Sequence, residues 1–383
     1  MTENENILIT GDFCPVNRTG EIIRENGSGS LLNDFLPAVK SAGLAVTNLE
    51  CPLTDSDLGI KKIGPLMRAP VSTANVLSDW GFDLVTLANN HIMDYGIQGI
   101  SSTIRACSEN NIGHVGAGEN LINARQPYYC QIGNYRWAVL NFAENEFSTT
   151  HGNSPGANPL DLIENCRDIV KAKSMADLVL VIVHGGHEMF NLPSPRIKST
   201  MRFFADAGAS AVIQHHAHCY SGFELYNDVP IFYGLGNFIF DVPSERNPIW
   251  NIGYAVELMP GTKLTFRVIP YEQSASRAGM RLLTGASEED FYRNIEHLNA
   301  IIADDNRLNI EFDKYCRRVE KRYRAFLEPH SSGLLHFLRH RHLFPSLLSR
   351  RKERVYLNLY RCESHREVVV HLLGKSVMKQ ENQ

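Results

Sequence analysis

The chain has no run of about 18 uncharged apolar residues, the length a helix needs to cross a bilayer, so no segment reads as a membrane span. Its eight cysteines form no C-x-x-C pair. That argues against a disulfide framework and against a thiolate zinc site, and the thiols read as reduced. The start, Met1-Thr2-Glu3-Asn4-Glu5-Asn6, lacks the basic residues and apolar stretch of a signal peptide, and the expectation drawn from it is a cytoplasmic protein. No internal repeat and no low-complexity segment is found. With 43% apolar and 21% charged residues, the balance also excludes wholesale disorder and a fibrous chain.

What is present is unevenly distributed. From Lys314 to Gln383 there are 16 Lys+Arg and 6 Asp+Glu, a net of +10; the remainder carries 22 and 36, a net of −14. At 383 residues, one large α/β domain with an appendage is expected. The boundary is placed at 272/273, giving a domain over 1–272 and a helical, basic extension over 273–383.

Short apolar runs alternate with segments of helical spacing: Ile7-Leu8-Ile9, Leu44-Ala45-Val46, Leu84-Val85-Thr86-Leu87, Trp137-Ala138-Val139-Leu140, Leu178 to Val183, Ala211-Val212-Ile213 and Ile231-Phe232-Tyr233. Runs apolar at every position fit strands covered on both faces, and the alternation fits βαβ units. From Gly253 to Tyr271 the period changes to two, as in a closing edge hairpin.

Five of these runs end in residues able to ligate a metal. They are Asp12, Glu50, the trio Asn89-Asn90-His91, His184, and the string His215-His216-Ala217-His218. In an open α/β sheet, ligands bind beyond the carboxyl ends of the strands, so side chains far apart in sequence converge there. Alone, Gly11-Asp12 reads as a turn and Asn89-Asn90-His91 as a helix cap. In an extended segment His216 and His218 point to one side. Two carboxylates, an amide and three imidazoles suit two ions of Mn, Fe or Zn; calcium would want more oxygens. Arg68 is a candidate anion clamp, because its planar guanidinium can grip a carboxylate or phosphate. Gly234-Leu235-Gly236-Asn237-Phe238 has two glycines and no following Lys-Ser/Thr, so it is not a phosphate loop.

The ordered series Gly11-Asp12, Asn48-Leu49-Glu50, Ala88-Asn89-Asn90-His91 with Asp94-Tyr95-Gly96, His184-Gly185-Gly186 with Glu188, His216-Ala217-His218 and Gly234-Leu235-Gly236-Asn237-Phe238 resembles the CapA-type poly-γ-glutamate capsule biosynthesis proteins. The resemblance covers about Ile7 to Asp241. It implies the fold of calcineurin-like metallophosphatases: an α/β, four-layer α-β-β-α sandwich with two mixed sheets between helices. It further implies Asp12 and His218 as ligands of one metal, His184 and His216 of the second, Glu50 as a bridging carboxylate and Asn90 as an amide ligand. His91 matches the catalytic histidine beside the leaving group. Asn237 is implied at the rim as a substrate contact, with Asp94 and Glu188 supporting the ligands from behind. One departure is that Cys14 stands where metallophosphatases carry the histidine of Asp-x-His.

The tail from Gly333 to Lys375 mixes Leu334, Phe337, Leu343, Phe344 and Leu347 with Arg339, Arg341, Arg350, Arg351, Lys352 and Arg354. That pattern fits a helix on an anionic membrane surface or against a membrane synthase, or a helical subdomain packed on the acidic body. No nucleic acid partner is expected, since most of the chain would repel phosphate.

The function expected from these readings is a metal-dependent hydrolase or transferase in the biosynthesis of poly-γ-glutamate or a polysaccharide capsule. Its substrate would be an acidic polymer or a phosphorylated or lipid-linked precursor, met in the cytoplasm or at the inner membrane surface. A non-catalytic scaffold for an acidic polymer or a membrane synthase is a second reading, and a general phosphodiesterase a third.

Overall fold

The computed structural model describes residues 5–25, 29, 31–62, 64–327, 333–346 and 348–361. The chain divides into two compact units, Met1–Ile310 and Glu311–Gln383. The first unit is mixed α/β. Its larger sheet is assembled from β1 (Ile7–Phe13), β2 (Leu44–Leu49), β3 (Leu84–Thr86), β4 (Gly113–Val115), β13 (Asn237–Ile239), β14 (Ile252–Met259), β15 (Thr265–Gln273) and β16 (Met280–Leu282). The order is β16-β15-β14-β1-β2-β3-β4, and β13 pairs in parallel with the far end of β1. The second sheet holds β6 (Tyr128–Ile132), β7 (Tyr135–Ala143), β9 (Leu178–His184), β10 (Ala211–His215), β11 (Phe223–Tyr226) and β12 (Val229–Phe232), in the order β11-β12-β10-β9-β7-β6. A two-stranded ribbon joins β5 (Ala117–Gly118) to β8 (Gly156–Ala157).

The runs that were apolar at every position are the buried strands. β1, β2 and β3 are buried throughout, and β9 is buried from its second residue on. One apolar cluster joins the sheets: Ile7, Ile9, Val46 and Leu84 from the first meet Trp137, Val139, Leu180, Ile182, Ile213 and Phe232 from the second. The other face of the larger sheet packs Leu8, Phe13, Leu49 and Val85 with helix residues Val39, Leu77 and Ile100. Helices Leu162–Lys173 and Pro195–Asp206 pack on the second sheet. Each is started by a cap: Asp161 accepts from the backbone of Ile163 and Glu164, and Ser194 from Ile197, with Pro195 at the first helical position.

Two expectations meet a different arrangement. The period-two segment does form a hairpin, β14 with β15, but β14 pairs with β1 inside the sheet, and the edge strand is β16. The first compact unit also continues past 272, to Ile310. Helix Ala286–Ile302 belongs to it because Phe291 and Ile295 enter the cluster between the sheets. The second unit contains helices Gly333–His340 and Arg350–Arg361. Leu347 and residues 362–375 of the tail pattern lie outside the described residues. Among the described residues no helix is long and apolar enough to cross a membrane.

Candidate metal centre

Five strands deliver the site, all at their carboxyl ends. β1 brings Asp12, β2 is followed by Glu50, β3 by Asn90 and His91, β9 ends in His184, and β10 leads into His216 and His218. The larger sheet thus supplies the carboxylates of the two donor groups, with Asn90 and His91 beside them, and the second sheet supplies His184, His216 and His218.

Local backbone features aim these side chains. The register of β1 against both β2 and β13 shifts around Asp12, and such an irregularity re-aims a strand residue. Position 11 has to be glycine, because a Cβ there would fall inside the carbonyl oxygen of Gly236. Beyond β10 the chain is not extended. His216 has φ 97° and His218 φ 54°, left-handed conformations that cost non-glycine residues strain. The two rings do come together, with centroids 5.9 Å apart. They reach that position through a strained turn, however, and not through the strand alternation expected from spacing.

Two donor groups result, Glu50 with His184 and His216, and Asp12 with Glu50 and His218. In each, the candidate ligand atoms lie within 4.8 Å of one another, and Glu50 is common to both. His184 Nε2 stands 3.0 Å from Asn90 Oδ1, 3.1 Å from His216 Nδ1 and 3.5 Å from Glu50 Oε1. With Glu50 ionised, only the ring nitrogens among these four atoms can carry a proton. In the other group, Asn237 Nδ2 donates to the carbonyls of His218 and Trp250, which turns its Oδ1 toward His218 Nδ1 at 3.0 Å. His218 Nδ1–H therefore donates to Asn237, and its Nε2 lone pair faces Glu50 Oε1 at 3.5 Å.

Glu50 has no exposed surface, and among the described residues neither of its carboxylate oxygens has a hydrogen-bond donor. Burial pushes its pKa well above the ordinary range, and the charges of Asp12, Glu188, Cys51 and Glu146 push it further. Asp12 behaves oppositely. Burial works upward, but His215, with Nδ1 3.3 Å away, and the neighbouring imidazoles of His184 and His218 hold its carboxyl below the usual range. Burial lowers His184 well below the ordinary imidazole value and lowers His218 as well, so both are held in the neutral form that ligates metals.

A divalent ion fits this donor set. Ligand atoms about 2.1 Å from a common ion lie about 3.0 Å apart at right angles and about 3.4 Å apart tetrahedrally. The separations from His184 Nε2 run from 3.0 to 3.5 Å, His218 Nε2 lies 3.5 Å from Glu50 Oε1, and all atoms of each group lie within 4.8 Å. An ion would also give Glu50 the positive partner that it lacks among the described residues.

The remaining candidates fall elsewhere. His91 Nδ1 lies 2.7 Å from Asp94 Oδ2, so Asp94 orients this ring. Asn237, expected at the rim, has no exposed surface, and every polar atom of its side chain is engaged in holding His218 or the Trp250 carbonyl. It orients a ligand and is not available to a substrate. Arg68 donates to the Ser56 carbonyl, pairs with Asp57 at 2.8 Å and lies over the Tyr95 ring, contacts that engage it outside the histidine cluster. Glu188 is exposed, and its charge reaches Glu50 and His218. Cys14 is buried beside Cys51, its thiol pushed well up by burial, and it joins neither donor group.

Two residues of the site, Asn48 and Lys62, were given no role by sequence reasoning, and His215 was read only as part of the histidine string. Asn48 donates to Asp12 Oδ1 at 2.7 Å and lies 3.2 Å from His184 Nδ1, so it braces one donor of each group. Its only signal was its place two residues before Glu50. His215 was in plain view in the histidine string. Lys62, in a connection without pattern, meets both His91 and Asp94.

The fold and crevice define a mixed α/β protein with a candidate two-metal centre at strand ends shared by two sheets. The family described as bacterial capsule synthesis protein PGA_cap matches residues 6–242, and the chain belongs to it. It is 32% identical over 250 residues to the capsule biosynthesis protein CapA of Bacillus anthracis, covering 62% of this chain and 61% of that protein. Against the PGA biosynthesis protein CapA of Bacillus subtilis it is 32% identical over 237 residues, covering 60% and 62%. A probable polyglutamine synthesis accessory protein of Mycobacterium tuberculosis is 29% identical over 168 residues, covering 40% and 44%. The chain thus spans about three fifths of the length of the CapA relatives. Among solved structures, a hypothetical protein from Thermus thermophilus aligns with 69% of this chain and 99% of its own, at 15% identity and a TM-score of 0.45.

Proposed function

We propose that this chain is a metal-dependent hydrolase or transferase of the four-layer metallophosphatase type, acting in the synthesis of poly-γ-glutamate or a polysaccharide capsule. The observation that carries the reading is Glu50: a fully buried carboxylate, without a hydrogen-bond donor among the described residues, shared by two donor groups. Asp12, His218 and Glu50 would hold one ion, and His184, His216, Asn90 and Glu50 the other. Such ions polarise a phosphoryl or carbonyl oxygen and acidify water. The chain's own residues supply the rest. Asn48, Asn237 and Asp94 orient Asp12, His218 and His91, and His91 serves the leaving group as a proton donor or charge partner.

The pathway follows from the family and from the names of the relatives. The substrate is proposed to be an acidic polymer or a phosphorylated or lipid-linked precursor, met on the cytoplasmic side. The basic tail is proposed to touch an anionic membrane surface or a membrane synthase. Cys14 favours a second reading. Its thiol stays outside both donor groups, which leaves the crevice one ligand short of a metallophosphatase and suits a carboxylate-binding scaffold.

The deciding measurement is metal content after purification without chelator, for wild type and His216→Ala/His218→Ala. About two equivalents of Mn, Fe or Zn, lost in the variant, support the enzyme reading. Stoichiometry near zero that added metal does not raise moves the assignment to the scaffold.

A further inference from the structure

We infer that Lys62 is a positioning residue of this site, acting on His91 through Asp94. The inference rests on the reading of His91 as the group beside the leaving atom. Asp94 has no exposed side-chain surface and is saturated with donors. Its Oδ2 lies 2.7 Å from His91 Nδ1 and accepts the Met67 N–H at 2.7 Å, its Oδ1 accepts from Lys62 Nζ, and its backbone carbonyl accepts the Ile60 N–H at 2.9 Å. Lys62 Nζ also lies 3.1 Å from His91 Nδ1, and its side chain is 4% exposed.

Two features separate this from an ordinary buried ion pair. With His91 Nδ1–H donating to Asp94, the ring and the ammonium are donors to one carboxylate, and Lys62 fixes the ring's geometry by holding that carboxylate. It also belongs to a connection whose neighbouring backbone, at Ile60 and Met67, is bound to the same aspartate. One residue, Asp94, therefore couples the seating of the backbone at Ile60 and at Met67 to the angle of the His91 imidazole. Without Lys62, Asp94 would be a buried carboxylate without a cation, free to draw the ring or the Met67 N–H out of place.

The test compares Lys62→Met and Lys62→Arg with wild type in the full chain loaded with Mn²⁺. Metal stoichiometry should match wild type in both, because Lys62 contacts neither donor group. With bis(4-nitrophenyl) phosphate as probe, Lys62→Met should lower kcat about 10- to 100-fold at nearly constant KM, the scale of a misplaced catalytic group. Lys62→Arg should recover most of that loss. In a His91→Ala background the same change should cost less than about twofold, since residues acting as a unit are not additive. A rise in KM at constant kcat, or a full loss without His91, would overturn the inference. Amide exchange at Ile60 and Met67 reads the coupling without turnover. Faster exchange in Lys62→Met supports it even in a chain inactive toward the probe, an outcome that removes the hydrolase reading alone. Unchanged exchange overturns it.

Discussion

The two halves of the crevice are built on opposite rules. Around Glu50, neither carboxylate oxygen has a hydrogen-bond donor among the described residues, and the His218 Nε2 lone pair is turned toward one of them. Around Asp94, each carboxylate oxygen is satisfied by named donors. A buried carboxylate without donors destabilises a fold, whereas one saturated with them stiffens it. The first half is shaped for a cation to complete, and the second is complete in the folded chain and holds one ring at one angle.

Removing the charge at the centre of the unsatisfied half breaks the contrast most severely. Glu50→Gln should abolish metal binding at both positions, read by metal analysis, and should stabilise the metal-free chain. The sign follows from the pKa. Glu50 is raised in the fold, so the folded chain keeps a proton that the unfolded chain, near 4.5, has lost; stability falls as pH rises from 4.5 toward the raised value. His184 and His218 act oppositely: lowered from 6.5, they cost stability as pH falls below 6.5. At pH 8 the cost of the raised Glu50 carboxyl is present and that of the two imidazoles is not, so Glu50→Gln should gain stability there and gain less at pH 5.5. Urea unfolding of the chelator-treated chain at pH 5.5 and pH 8 measures this. A loss of stability at pH 8 would mean that Glu50 has a partner in solution.

A smaller effect is expected from Asn237→Leu, which keeps the volume but frees His218 Nδ1. Metal affinity should fall about 10- to 100-fold, as for other groups that orient a metal-binding histidine, measured by competition with a chromophoric chelator. An unchanged affinity would return Asn237 to the substrate side. The smallest effect belongs to Arg68→Ala. Its partner Asp57 is exposed, so stability in a thermal melt should change by less than about 0.5 kcal/mol. KM for the phosphodiester probe should also stay within about twofold of wild type. A tenfold rise would make Arg68 the anion clamp after all.

Much of this was legible in the sequence because strand ends are. Asp12, Glu50, Asn90, His184, His216 and His218 each follow an apolar run, and the sheets bring them together. Asp94 three residues after His91 is a pair that a single turn of chain allows. The rest depended on information that periodicity does not carry. The turn after β10 departs from strand geometry at the very residues whose shared direction was argued from it. Asn237 could not be recognised as buried, because its burial arises when β13 pairs with β1, more than two hundred residues away in sequence. Lys62 lies in an irregular connection where an isolated lysine is normally a surface residue. The 272/273 boundary followed the change in composition, but Phe291 and Ile295 reach back across it into the core.

The division of ligands between the sheets has a consequence for how the chain matures. A half-assembled molecule with only the larger sheet formed offers Asp12 and Glu50 without the imidazoles of either donor group; with only the second sheet it offers those histidines without a carboxylate. Neither half is a respectable trap for a transition metal, so ion capture has to come after the sheets have met along their shared cluster. An ion bound there would act as an inspector's seal on the join: held only when the two sheets have closed in register, and lost when they slip.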